Sequence, residues 1–139
     1  MKRVTGLGGV FFKTRNPEHI KRWYREHLGI KSDQYGAIFR WLDPRSPKTK
    51  GYTVWAPFPW KTKSFLPGKG SFMINFRVKN LKALLAALRK ERVRIVGKFE
   101  ECEYGKFGWI MDPEGNKVEL WQPPAQRRPS KRKKSSQKK

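Results

Sequence analysis

The apolar residues in the first half of the chain follow two different periods. A short apolar run at residues 9–13 predicts a strand, and Asn16 in front of a proline is a usual start of a helix. Apolar residues then recur every three or four positions, which predicts an amphipathic helix that ends at Gly29. Its apolar face consists of Ile20, Trp23, Tyr24 and Leu28. Further apolar runs at residues 37–42 and 52–55, each followed by a proline, predict two strands.

The second half of the chain repeats this order. An apolar run at residues 72–78 predicts a strand, Asn80 predicts the start of a leucine-rich helix, and three more strands follow. Phe-x-Trp and Trp-x-Pro motifs recur in both halves, at offsets of 68 and 66 residues. We therefore expect two copies of a strand, a helix and three strands, at about residues 4–60 and 70–124. Neither copy can cover its sheet alone, so the two are expected to pair in one α+β domain, residues 1–124.

Length and composition fit one folded domain with a basic extension. Of the 139 residues, 37% are hydrophobic and 14% are aromatic, which is enough for a core. Lys and Arg number 33 against 11 Asp and Glu, a formal charge of +22. Eight of these basic residues lie in residues 125–139, a tail that we expect to be disordered. Residues 1–124 keep 25 basic residues against 11 acidic ones, so the domain itself carries a charge of +14.

Sequence features also predict the compartment. No apolar run reaches the roughly 18–20 residues that a membrane span requires, and the N-terminus has no apolar signal segment. The single cysteine, Cys102, cannot form an internal disulfide, which fits a reducing compartment. We therefore expect a cytoplasmic protein without a membrane span.

Two motifs resemble the vicinal oxygen chelate superfamily, which includes glyoxalases, extradiol dioxygenases and bleomycin-resistance proteins. The first is Trp-Tyr-Arg-Glu-His-Leu-Gly-Ile at residues 23–30. The second and more specific motif is Asp-Pro-Glu-Gly-Asn at residues 112–116, which precedes a strand that carries Glu119. The resemblance covers about residues 4–123. It implies the glyoxalase/bleomycin resistance-like fold, in which two paired βαβββ modules form a curled sheet around a cavity, and it implies a homodimer.

The same resemblance implies where a divalent metal would be held, because the family takes one ligand from the first and one from the last strand of each module. These four positions fall on Gly9, Thr53, Met73 and Glu119. Only Glu119 can coordinate strongly, whereas a divalent ion needs three or four oxygen or imidazole donors. Both histidines lie in the first predicted helix, away from the strands. We therefore expect no metal and no other cofactor.

Alternation along the strands selects the side chains that share the face of Glu119. Matching the two halves of the chain adds residues from the first strand of each module to these candidates. Tyr104 is a further candidate, because it lies in a loop that could close over the cavity. The candidate ligand-binding residues are Phe11, Trp41, Thr53, Trp55, Met73, Asn75, Arg77, Tyr104, Trp109 and Trp121. Aromatic walls with a few polar groups are typical of small-molecule sites and suit planar ligands. Tryptophans at strand spacing are equally compatible with a purely structural core.

Glu119 is the candidate catalytic residue. An inward-facing carboxylate is costly to bury unless it is paired, so a structural partner could be Lys13, Arg40 or Arg77. Desolvation would raise its pKa and would allow it to act as a general base.

Three functions are compatible with the sequence. The first is a metal-free protein that binds a small, planar aromatic molecule. The second is a metal-independent isomerase, lyase or hydrolase that uses Glu119 as a general base. The third is a nucleic-acid-associated protein that makes non-specific contacts through residues 127–139. The lack of metal ligands favours the first, because the common chemistry of the superfamily depends on a metal as Lewis acid.

Overall fold

A computed structural model describes residues 3–125 of the chain. The elements follow one another as β1 (Val4–Thr14), α1 (Pro17–Leu28), β2 (Ala37–Asp43), β3 (Ser46–Pro59), β4 (Phe72–Val78), α2 (Leu81–Lys90), β5 (Ile95–Cys102), β6 (Gly105–Met111) and β7 (Lys117–Gln122). Neither of the described helices is long and apolar enough to cross a membrane. The basic tail, residues 127–139, lies outside the described residues, so its disorder stays a prediction.

All seven strands form one curled, open sheet in the order β2-β3-β1-β4-β7-β6-β5. The first and last strands of each module pair in parallel, β1 with β3 and β4 with β7. The two modules meet at the centre of the sheet, where β1 runs antiparallel to β4. The predicted α+β class, with two modules side by side in a curled sheet, is confirmed.

The first module has one strand fewer than predicted. Its order is β1-α1-β2-β3, whereas the second module has the complete order β4-α2-β5-β6-β7. Between α1 and β2 the chain forms only an isolated bridge between Asp33 and Gly36. Gly36 has a φ of 111°, a left-handed conformation that favours glycine and does not fit a regular strand. This segment is therefore a tight turn.

Helix boundaries follow the capping signals in the sequence. The Asn16 side chain accepts a hydrogen bond from the backbone N–H of His19 at 3.0 Å, and Asn80 accepts one from Ala83 at 3.1 Å. Gly29 ends α1 with a φ of 71°, the left-handed conformation of a helix C-cap. These local hydrogen bonds explain why the helices begin and end where the sequence predicts.

The main core lies between α2 and the second half of the sheet. Its buried residues are Val78, Leu81, Leu84, Leu85, Leu88 and Leu120. Helix α1 has no buried residue and covers the first half of the sheet through Tyr24, whose ring lies 4.8 Å from that of Trp55. Trp23 and Leu28, predicted on the same face of α1, are 45% and 61% exposed. Both helices lie on one face of the sheet, so the opposite face is available to border a cavity.

Candidate functional site

The face of the sheet away from the helices borders a cavity of about 480 Å³. Strands of both modules contribute to its walls, so the cavity forms within a single chain. The lining residues are Gly8, Phe11, Asp33, Tyr35, Gly36, Ile38, Arg40, Tyr52, Val54, Asn75, Tyr104, Phe107, Glu119 and Trp121.

Glu119 borders this cavity from β7, and N–H donors hold its carboxylate on both sides. The side-chain amide of Asn75 donates to Glu119 Oε1 at 2.6 Å, and the indole N–H of Trp109 donates to Oε2 at 2.8 Å. Asn75 and Trp109 are the residues paired with Glu119 on the neighbouring strands β4 and β6. The sheet register therefore positions the carboxylate.

Burial raises the pKa of the Glu119 carboxyl above its ordinary value. The hydrogen bonds from Asn75 and Trp109 and the positive charge of Lys117 act in the opposite direction, whereas Glu100 adds to the increase. Within residues 3–125, Glu119 forms no ion pair with a lysine or an arginine. Its negative charge is thus stabilised by neutral N–H groups and by a lysine beyond ion-pair distance.

The three cations considered as possible structural partners of this carboxylate take other positions. Lys13 lies over the ring of Phe65, 5.7 Å from its centroid. Arg77 donates to a threonine hydroxyl on β1 at 3.3 Å. Arg40 lines the cavity without forming an ion pair to the carboxylate. None of the three cations forms an ion pair with Glu119, and an amide and an indole hold the carboxylate instead.

Asn75 is 3% exposed, and its amide is held between Glu119 and the backbone of β1. Its nitrogen donates to the carboxylate, whereas its Oδ1 atom is buried without a hydrogen-bond partner. This oxygen lies against Gly8, where an added Cβ would overlap with it. Position 8 therefore needs a residue without a side chain for the Asn75 amide to reach Glu119.

Aromatic rings form much of the cavity wall. The rings of Tyr52 and Trp121, from β3 and β7, have centroids 5.4 Å apart, and Phe107 stacks on Trp121 at 6.4 Å with an interplanar angle of 20°. Trp121 is 5% exposed, and its indole N–H donates to the Tyr104 carbonyl at 2.8 Å. Burial raises the pKa of Tyr52, although two nearby arginines act to lower it. The cavity thus offers flat ring surfaces held by both modules.

The structure brings together five of the eleven predicted site residues. The five that line the cavity are Phe11, Asn75, Tyr104, Glu119 and Trp121. Trp109 borders the site through its hydrogen bond to the carboxylate. Met73 and Arg77 lie on β4 but are not among the lining residues, and Met73 is 2% exposed.

Trp41, Thr53 and Trp55 do not line the cavity, so the prediction for these three is wrong. The indole N–H of Trp41 donates to the Thr53 hydroxyl at 3.0 Å, and Trp55 packs against a tyrosine of α1. Strand β3 instead presents Tyr52 and Val54 to the cavity. The Trp-x-Pro match aligns the two halves with an offset of 66 residues, an even number, which puts Trp55 on the same face as Trp121. In the structure Tyr52 and Val54 share the cavity face with Glu119 and Trp121, which requires an odd offset. A slip of one residue moves every side chain of a strand to the other face.

Sequence reasoning missed the part of the wall that β2 and the preceding turn provide. Arg40 is paired with Tyr52, and Ile38 lies two residues before it on the same face of β2. Correct strand alternation on β3 would have identified both residues. Asp33 and Tyr35 come from the turn, and no sequence signal indicates that this turn reaches the cavity.

No protein-family model and no curated protein matches the chain. Among solved structures, methylmalonyl-CoA epimerase from Mycobacterium tuberculosis is 21% identical, with 87% of this chain and 89% of that chain covered and a TM-score of 0.54. A variant of Streptomyces coelicolor methylmalonyl-CoA epimerase in complex with 2-nitronate-propionyl-CoA is 17% identical, with 91% and 99% covered and a TM-score of 0.64. The chain has the vicinal oxygen chelate fold.

Proteins of different activities share this fold with the chain. A structure described as NAD-dependent benzaldehyde dehydrogenase from Legionella pneumophila is 12% identical, with 84% of this chain and 98% of that chain covered and a TM-score of 0.50. Similarity at this level of identity establishes the vicinal oxygen chelate fold and leaves the activity to the site itself.

The vicinal oxygen chelate fold implies a metal position where the first and last strands of both modules meet. The sheet register places side by side at this point Gly9, Val54, Asn75 and Glu119. The predicted positions Thr53 and Met73 are therefore displaced from it. Glycine and valine supply no donor atom, and the Asn75 nitrogen already faces the carboxylate. The described part of the chain contains no group of three or more His, Cys, Asp or Glu residues that is arranged to hold a metal ion. These residues do not fit a divalent metal.

Proposed function

We propose that this protein is a metal-free binding protein that holds a small, planar aromatic molecule in its cavity. The observation that carries this proposal is the cavity itself, about 480 Å³ in volume and walled by aromatic rings, with the Glu119 carboxylate held by two N–H donors. Apolar walls with a few fixed polar groups are the usual composition of small-molecule sites.

The size and the walls of the cavity support a planar ligand. Its volume lies within the range of about 300–1,000 Å³ that drug-sized ligands occupy. Each offset aromatic stack adds about 0.5–1.5 kcal/mol beyond the burial of apolar area. Phe107 offers such a surface from the second module and Tyr52 offers one from the first, and both rings pack against the buried Trp121.

Binding of 2-naphthamide, a neutral planar probe, tests this proposal by isothermal titration calorimetry with the full-length protein and a chelator present. We expect binding that Trp121→Ala weakens about tenfold or more, a loss of ~1.4 kcal/mol. Trp23→Ala is the matched control, because Trp23 is 45% exposed on α1 and does not line the cavity. Binding that persists in Trp121→Ala, or that the chelator abolishes, would contradict the proposal.

A second candidate is a metal-independent isomerase, lyase or hydrolase that uses Glu119 as a general base. Its support is the raised pKa of this carboxyl in a cavity, since a base with a pKa nearer neutrality accepts protons more effectively. Two of the structural neighbours named above are described as methylmalonyl-CoA epimerases. Incubation with methylmalonyl-CoA in deuterated water, followed by NMR, would detect proton exchange next to the thioester. Exchange that is lost in Glu119→Gln would favour this candidate over simple binding.

Three further properties belong to the same proposal. We expect a cytoplasmic homodimer, which light scattering in solution would test for its oligomeric state. The corresponding strand orders of the two modules support an origin by internal duplication. Residues 127–139 are expected to contact nucleic acid non-specifically, so their deletion should remove most of a logarithmic salt slope of about −7 in DNA binding.

A further inference from the structure

We propose that the cavity selects a planar cation, in which an aromatic ring system carries an amidinium or a protonated ring nitrogen that pairs with Glu119. This inference rests on the proposed function, because it assigns a charge to the ligand of the same cavity.

The bonding of the Glu119 carboxylate leaves room for a cationic donor. Each of its oxygens accepts one N–H bond, from Asn75 or Trp109, although a carboxylate oxygen can accept two. Lys117 is the cation whose charge acts on this group, but its ammonium donates to the Ser64 carbonyl at 2.8 Å. A buried carboxylate without an ion-pair partner is costly, and a ligand cation would compensate this cost.

The charge around the cavity contrasts with the charge of the whole chain. Two carboxylates, those of Glu119 and Asp33, line the cavity together with one guanidinium, that of Arg40, which gives a formal charge of −1. The whole chain carries +22. The lining residues therefore carry a small net negative charge in a basic protein, while Arg77 and Lys117 act from outside the lining on Tyr52 and Glu119. The carboxylate at Glu119 itself favours a cation over an anion.

The aromatic walls of the cavity also favour a positively charged ligand. The faces of aromatic rings carry negative electrostatic potential and attract cations, whereas they repel anions. Phe11, Tyr52, Phe107 and Trp121 line the same cavity as the carboxylate. A planar cation would stack its ring on these surfaces while its N–H groups reach Glu119.

The residues around Glu119 suit an organic cation better than a divalent metal ion. It needs several oxygen or nitrogen ligands around one point, whereas Gly9 and Val54 next to Glu119 supply none. An amidinium needs only a carboxylate edge and a flat apolar surface, and the structure has both.

Three probes with the same ring and different charge test the inference: 2-naphthamidine is a cation, 2-naphthamide is neutral and 2-naphthoate is an anion. Affinities would be measured by isothermal titration calorimetry at pH 7.5, with the full-length protein and a chelator. We expect the amidine to bind at least about tenfold more tightly than the amide, ~1.4 kcal/mol, and the naphthoate to bind most weakly.

Glu119→Gln isolates the contribution of the charge. We expect this variant to lose the preference for the amidine over the amide, because the substitution removes the charge that pairs with the amidinium. The variant can keep its packing, because a 180° rotation of the Asn75 amide would present the unpartnered Oδ1 to the new amide nitrogen. Far-UV circular dichroism would verify the fold. Trp23→Ala serves again as the control with unchanged affinities.

The pH dependence gives a second measurement. Because a proton competes with the ligand cation for Glu119, the affinity for the amidine should fall as the pH falls through the raised pKa of this carboxyl. The affinity for the amide should change less. The other charged or titratable groups that line the cavity or act on Glu119 are Asp33, Arg40, Tyr35, Tyr52, Tyr104, Glu100 and Lys117. A fall that persists in Glu119→Gln would assign the effect to these groups and would overturn the inference.

Other results separate this inference from the proposed function. Equal affinities for amidine and amide, or tightest binding of the naphthoate, would overturn the inference, whereas the proposed function would stand if Trp121→Ala abolished the binding. Binding of all three probes that is independent of Trp121 would overturn both.

Discussion

Replacement of Gly8 by alanine is expected to destabilise the protein because the added methyl group meets the buried Asn75 amide. The new Cβ would overlap with Asn75 Oδ1, and it would lie 3.1 Å from Asn75 Cγ and 3.2 Å from Trp121 Cε3. The amide cannot move away without breaking its 2.6 Å hydrogen bond to Glu119. Trp121 cannot yield easily either, because its indole N–H is bonded to a backbone carbonyl.

Two energetic costs determine how much Gly8→Ala lowers the free energy of unfolding. Overpacking by one methyl group in a tightly packed region typically costs about 1–3 kcal/mol. Loss of a hydrogen bond to a charged group costs about 1.5–3 kcal/mol. Because relief of one cost brings the other, the two are not additive, and we expect Gly8→Ala to lower the free energy of unfolding by about 1–3 kcal/mol.

Urea unfolding followed by circular dichroism would measure this change, with Gly70→Ala as the matched control. The atoms nearest to a Cβ at Gly70 begin at 3.4 Å, an ordinary contact. Gly70→Ala is therefore expected to be neutral or to stabilise the protein by about 0.4–1 kcal/mol through the unfolded chain.

A double-mutant cycle shows whether the Asn75 amide is the cause. If it is, Gly8→Ala should cost at least about 1 kcal/mol less in an Asn75→Ala background than in the wild type. A cost that is the same in both backgrounds would refute this reasoning, and so would a Gly8→Ala protein as stable as the wild type.

Three further predictions concern the carboxylates and the core. The free energy of unfolding of the wild type, relative to Glu119→Gln, should fall as the pH rises from 4.5, the ordinary pKa of the carboxyl, through the raised pKa of Glu119. The reason is that the folded state holds this proton more tightly than the unfolded state. Parallel pH profiles of urea unfolding for the two proteins would contradict this. The side-chain amide of Asn116 and two backbone N–H groups donate to Asp112 and lower the pKa of its carboxyl. The advantage of the wild type over Asp112→Ala should therefore be present above pH 3.8 and disappear as the pH falls through the lowered pKa in the same assay. Leu81→Ala should cost about 2–5 kcal/mol in urea unfolding because Leu81, the first residue of α2, is fully buried, whereas Leu28→Ala, at a position 61% exposed, should stay within about 0.5 kcal/mol; similar costs would place the core elsewhere.

Signals close together in the chain predicted the elements well. Asn16, Asn80 and Gly29 cap the helices through bonds to residues within a few positions of themselves, so the sequence alone contains both partners. The α2 leucines reach the core as their spacing predicts. In place of the expected strand of the first module the chain forms a turn at Gly36, which has a left-handed conformation and lies close to Trp55 and Ala56 of β3.

The candidate site also contains residues that the sequence predicted correctly and residues that it did not. Alternation along one strand placed Glu119 and Trp121 on a common face, and both line the cavity. The assignment of Thr53 and Trp55 to the same face by matching the two halves of the chain was wrong, because a repeat match in the sequence does not specify the strand register. Asn75 was predicted as a site residue but not as the partner of Glu119. It lies 44 residues away from Glu119 and is adjacent to it only because β4 and β7 pair in parallel.

The sequence by itself determined the fold class, the helix caps and the order of elements apart from one strand of the first module, because these depend on residue spacing and local hydrogen bonds. Only the tertiary structure decided which faces of β2 and β3 border the cavity and which groups hold the carboxylate. The physical reason is the two-residue period of a strand, in which one step of register exchanges the wall of a cavity for the opposite face of the sheet.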